Sequence, residues 1–190
     1  MSLAGKWTKN LYDTDKVLEY FYDECAAAGM ACPLHANTSS MVQQRVENIF
    51  ASIKSAPLSV IDDSGLHYGI IDYSKVKFTL FMALYSPFVV LPGFADVLAA
   101  LEKGDGRPAL ALWQRISPEQ KCELHAQLPL VRMESGYAVM CGEGNGAGAS
   151  VEDIVSHFNE LSKMSTFADV WTLITGFPCV YVLNLERETC

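Results

Sequence analysis

The side chains best suited to chemistry are four histidines and six cysteines. None of His35, His67, His125 and His157 has a second imidazole at i+4, the spacing that presents two ring nitrogens to a metal from one helical face. Cys25, Cys32 and His35 offer three soft ligands, but at spacings that match no common zinc pattern and without a fourth. Cys122 and His125 stand at i, i+3 of a predicted helix, as a thiol and its base would. Any helix yields such a pair by chance. Gly144-x-Gly146-x-x-Ala149 has the outline of a dinucleotide fingerprint. It lacks the second strand and the acidic residue that would follow, so it reads as a surface loop. No G-x-S-x-G elbow for a serine nucleophile occurs from Met1 to Cys190. Glu119, Glu123 and Glu134 read as solvated faces, and no carboxylate pair stands out for acid–base work. The sequence therefore assigns no catalytic residue, no metal and no cofactor.

Aromatic residues are the denser signal. Tyr73, Phe78, Phe81, Tyr85 and Phe88 crowd one stretch. They read either as core packing or as the walls of an apolar ligand groove.

The elements that must carry these residues are mostly helical. Leu18, Phe21, Tyr22 and Cys25 share a face at i, i+3, i+4, i+7. Val42, Val46, Ile49, Phe50 and Ile53 form a longer stripe, with Ser40 and Gln43 as a predicted capping box before it. Further stripes are Phe94, Val97, Leu98 and Leu101, ending at Gly104; Val151, Ile154, Val155, Phe158 and Leu161, capped by Ser150; and Phe167, Val170, Trp171 and Ile174. Ser117-Pro118 predicts another helix start. Only residues 57–71 read as β, a small hairpin around Asp62-Asp63-Ser64-Gly65. The expected fold is mostly α, a single helical domain of about seven or eight helices with at most that hairpin. Residues 1–6 read as an N-terminal tail, vector-derived in one reading, 7–180 as the domain, and 181–190 as a C-terminal tail.

The apolar run from Phe78 to Leu101 is interrupted by Pro87, Pro92, Gly93 and Asp96. It predicts two buried helices broken at Ser86-Pro87 and Leu91-Pro92 rather than a membrane span. A formal charge of −8 and a pI near 4.9 argue against nucleic acid and anionic membranes as partners. The even cysteine count and the sequon Asn37-Thr38-Ser39 point to an extracellular protein with disulfides and a glycosylated Asn37. Reduced, buried thiols in a cytosolic protein are the alternative. Met1 to Gly5 does not read as a signal peptide.

One ordered series of segments resembles the secreted tripeptidyl-aminopeptidase-like α/β-hydrolases of fungi and bacteria. It runs from Leu11-Tyr12-Asp13-Thr14-Asp15-Lys16-Val17-Leu18 through Phe21-Tyr22-Asp23-Glu24-Cys25 and Cys32-Pro33-Leu34 to Tyr68-Gly69-Ile70-Ile71-Asp72-Tyr73-Ser74. Ala83-Leu84-Tyr85-Ser86-Pro87, Leu98 to Gly106, Ala138 to Gly142, Phe167-Ala168-Asp169-Val170-Trp171 and Cys179 continue it. In that family such a segment is the helical cap inserted into the hydrolase sheet. The resemblance implies disulfides Cys25–Cys32 and Cys141–Cys179, and leaves Cys122 and Cys190 unmatched. It supplies no catalytic residue, because the family's nucleophile precedes this segment and its acid and base follow it. Where the family usually continues Trp-Pro after the last Cys, this chain has Val180-Tyr181.

The expected function is thus a cap that shapes or covers an apolar substrate groove and is non-catalytic alone. It stands as a truncated piece, a natural fragment or a catalytically empty descendant. Its expected partners are the hydrolase core or, without that core, a second copy in a dimer through the apolar face. A small apolar ligand or peptide is a further candidate. The alternative is a stand-alone binding protein, or a cofactor-free catalyst, using the same groove.

Overall fold

The computed structural model describes residues 7–117, 136, 139 and 150–175. It is mostly helical: the described residues form seven α-helices and one two-stranded antiparallel sheet. The chain divides into two compact units, one of residues Lys16–Gln120 and one of Met1–Asp15 with Lys121–Cys190. No described helix is long and apolar enough to cross a membrane.

Helix α1 (Thr14–Ala27), from Lys16 onward part of the unit Lys16–Gln120, buries the stripe Leu18, Phe21, Tyr22 and Cys25. Gly29, at φ 57°, turns the chain back in a region that costs glycine nothing. A 3₁₀ turn (Gly29–Ala31) then carries Cys32 to Cys25, and the two are joined by a disulfide with their Cα atoms 5.3 Å apart. Helix α2 (Ser39–Ser55) buries Val42, Val46, Ile49, Phe50 and Ile53. Its cap is Thr38, whose side chain accepts from the Met41 amide at 3.3 Å. The box expected at Ser40 and Gln43 does not form, because the extended Thr38 cap already places Ser40 inside the helix; Gln43 instead donates to Glu47 at 2.8 Å. Arg45 on α2 donates to the His35 carbonyl at 2.8 Å and forms a two-pronged pair with Glu102 at 2.6 and 3.0 Å. Planar forks of this kind fix orientation as well as distance.

Strands β1 (Leu58–Ile61) and β2 (Tyr68–Ile71) pair with Leu58 opposite Ile71 and Ile61 opposite Tyr68. Alternation then sends Val60 and Ile71 inward, and Ile61, Tyr68 and Ile70 outward into solvent. Asp72 caps α3 (Tyr73–Ala83), accepting from the Lys75 amide at 2.9 Å.

Helix α4 (Pro87–Glu102) differs from the sequence expectation. The break at Ser86-Pro87 is present, with Pro87 in the first turn, but the helix runs straight through Pro92. Pro92 and Gly93 are exposed, while Phe94, Leu98 and Leu101 beyond them are buried and hold the helix to the core. The loss is one backbone bond, since Pro92 has no N–H for the Phe88 carbonyl. The helix ends at Gly104, φ 80°, with Gly104 N–H donating to Leu101 O and Asp105 N–H to Ala100 O, both at 2.9 Å. That pair of bonds is the Schellman closure. Helix α5 (Arg107–Ile116) follows and packs against α3, α4 and the hairpin. Gly106 lets β1 approach: a Cβ there would lie 2.4 Å from Val60 Cγ2.

In the other unit, a 3₁₀ turn (Thr8–Leu11) precedes α6 (Val151–Leu161) and α7 (Ala168–Thr175). Ser150 and Asp153 form the predicted N-terminal cap as a reciprocal capping box. The buried stripe of α6 is Ile154, His157 and Leu161, one step round from the expected one; Val151 and Val155 are exposed. In α7, Phe167, Val170 and Trp171 are buried as the pattern predicts. The Asp15 carboxylate accepts from Ser165 Oγ at 3.0 Å, Thr166 N at 2.9 Å and Thr166 Oγ1 at 2.9 Å, and the Trp171 indole donates to the Trp7 carbonyl at 3.1 Å.

Candidate ligand groove

An apolar opening lies within the unit Lys16–Gln120. One wall is the second half of α1 and the turn that the Cys25–Cys32 disulfide clips to it. The other is the first three turns of α4. Both walls follow from the sequence. The α1 stripe buries one side of that helix, leaving Tyr20 and Glu24 at the edge. On α4, Pro87 starts the helix where Leu91, Phe94 and Ala95 turn inward, so Phe88 and Val89 stay outside. The groove holds about 430 Å³, within the range of small-molecule sites. Buried Phe21, Cys25 and Leu91 line its depth. At its lip Tyr20 and Phe88 meet edge to face with centroids 6.0 Å apart and planes at 77°.

The polar lining is one-signed. Glu24 and Asp96 line the groove, and no Lys, Arg or His does. Glu24 is engaged with Tyr20: its hydrogen bond to the phenol, then its charge, pushes the Tyr20 pKa up. Pro92 leaves the Phe88 carbonyl without its helical donor on the same wall.

The five aromatic residues singled out by the sequence separate in space. Phe88 is 78% exposed in the groove, and Tyr85 is 67% exposed in the turn before α4. Phe81 is buried, with Tyr85 edge-on to it at 5.7 Å. Tyr73 packs on Phe50, with the Lys54 ammonium 5.2 Å from its ring centroid. Phe78 packs edge-on to Trp113 at 6.0 Å. Of the five, only Phe88 lines the groove. Its companions there, Tyr20, Glu24 and Asp96, come from charged, solvated helix faces. A sequence pattern read for burial passes over such faces. Asn37 is exposed in the loop before α2. Cys25 and Cys32 are joined, whereas Cys122, Cys141, Cys179, Cys190, His125 and the glycine run 142–148 lie outside the described residues. Among the described residues no group of three His, Cys, Asp or Glu side chains gathers as a metal site.

A second constellation escaped the sequence reading. In the hairpin turn, Asp62 Oδ2 lies 2.8 Å from His67 Nδ1, and the Ser64 hydroxyl donates to both Asp62 oxygens at 2.8 Å. These are the residue types of a hydrolytic triad in the wrong order. The Ser proton goes to the carboxylate, so the imidazole has no part in activating the oxygen. The Ser64 oxygen also accepts from the Leu66 amide at 3.2 Å. The His67 hydrogen bond, then that of Ser64, holds the Asp62 carboxyl far below the usual carboxylate range. The cluster is a turn lock. Arg107 extends it, bridging Asp63 at 2.6 Å and Asp105 at 2.8 Å.

Comparison with protein-family models, with curated proteins and with solved structures finds no match to this chain.

Proposed function

We propose that this chain is the helical cap of a secreted α/β-hydrolase similar to the tripeptidyl-aminopeptidase-like family, non-catalytic alone, whose groove between α1 and α4 shapes the space for an apolar substrate. The observation that supports this reading is an open groove with exposed Tyr20 and Phe88 at its lip, in a chain whose Ser–Asp–His cluster is wired as a turn lock. Such a surface excludes water from a ligand but supplies no nucleophile and no oxyanion hole. Those would come from another segment or chain. The Cys25–Cys32 disulfide suits an oxidising compartment. The test is a fluorophosphonate probe, which labels a serine only where a base activates it. The expected result is no labelling, Ser64 included. Stoichiometric attachment to any one serine would overturn the reading.

One observation favours a second reading, a stand-alone binding protein. Every residue of the groove belongs to the unit Lys16–Gln120, so the site is built without a hydrolase sheet.

A further inference from the structure

We infer that the groove between α1 and α4 selects ligands with an alkylated ammonium centre on an apolar body. This deepens the reading of the groove as the ligand site and rests on it. Charge complementarity is the first argument. The lining carries two carboxylates and no cation, in a chain of net charge −8. Asp96 has no hydrogen bond or ion pair to any described residue, and the Glu24 carboxylate near the Tyr20 phenol raises the Tyr20 pKa. An anionic ligand would be repelled both by the rim and by the field of the whole chain.

The ring geometry is the second argument. Tyr20 and Phe88 stand edge to face at 77° in the lining that Glu24 and Asp96 share, and an edge-to-face pair covers a face of one ring only. A cation over an aromatic face is attracted by the ring quadrupole, and alkylated ammonium groups are the ions aromatic cages receive. Such an ion is also weakly hydrated, so it enters an apolar groove at a smaller desolvation cost than a bare ammonium or a metal ion. The buried Phe21, Cys25 and Leu91 take the apolar body.

The experiment titrates the full chain at low salt with three probes of similar size, followed by NMR shifts and calorimetry. These are phenyltrimethylammonium, its neutral isostere tert-butylbenzene, and benzenesulfonate. The cation should bind about tenfold tighter than the neutral isostere, and benzenesulfonate should not bind. Asp96→Asn should weaken the cation about fivefold and Phe88→Ala about tenfold. Both side chains are exposed, so both variants should keep the parent circular dichroism. Equal binding of cation and isostere, with Asp96→Asn silent, would overturn the ammonium selectivity and leave the groove standing as an apolar site. No saturable binding of any probe would overturn the groove itself.

Discussion

Two regions of the same unit treat their polar groups in opposite ways. At the hairpin corner, Asp62, Asp63, Asp105 and Arg107 engage one another, His67 and Ser64 at hydrogen-bond distance. At the groove, Asp96 engages no described residue and two aromatic rings face solvent. The corner spends its charge on holding the turn and the start of α5. The groove leaves charge and apolar surface unspent. A constellation of chemically suggestive residues can therefore be structural because its bonds are internally closed, whereas an apolar wall with open carboxylates keeps groups that a ligand could engage.

The largest expected effect contrasts the two faces of α4. Phe94 is 1% exposed, and Phe94→Ala should cost about 3–5 kcal/mol in denaturant unfolding. Phe88→Ala should stay within about 0.5 kcal/mol. Comparable losses for both would mean that Phe88 supports the fold and the groove is a packing defect. Next comes the clip. Breaking Cys25–Cys32, which closes a loop with sequence separation 7, should cost about 2–3 kcal/mol in the chain-entropy picture. Titration with phenyltrimethylammonium should then show the groove wall loosened, whereas the hairpin turn should keep its amide protection. At the corner, Gly106→Ala should cost about 1–3 kcal/mol. Val60 is β-branched and sits 2.4 Å from the added carbon, so it has little rotamer freedom to yield. An unchanged unfolding midpoint would mean β1 does not press on α5.

The smallest effect is electrostatic. Arg107 holds the Asp105 carboxyl down to about 2. A carboxylate with a depressed folded value stabilises fully above its unfolded value, near 3.9, and loses that contribution as pH falls through the folded one. The melting temperature should therefore decline from about pH 4 toward pH 2, and more gently in Asp105→Asn. Screening at this exposed corner keeps the effect small. A parent and variant with superimposable acid profiles would remove the pair from the account.

The sequence carried the helical stripes of α1, α2 and the second half of α4, because burial imposes a period that any reader can count. It also carried the hairpin, whose turn residues are chemically special. It missed the continuation through Pro92, because propensity is local and the packing of Phe94 and Leu98 is not. It put the α6 stripe one step off, because His157 is buried there and does not look apolar. The groove was only partly legible. Phe88 lies in the crowded aromatic stretch, but its neighbours Tyr20, Glu24 and Asp96 come together only once α1 and α4 lie side by side.

Pro92 has one further consequence. Its missing N–H interrupts the hydrogen-bond ladder of α4 between the turn that carries Phe88 and the turns that carry the core. Beyond the bonds internal to the helix, the first turn is closed by the amides of Val89 and Val90, which donate to the Ser86 carbonyl at 3.1 and 3.0 Å. The ladder there is one bond short while Leu91 stays buried, so the exposed first turn should open at a lower free energy than the rest of α4. The groove's lip is therefore one backbone bond weaker than the rest of α4. Its amides should exchange with solvent deuterium before those past Gly93.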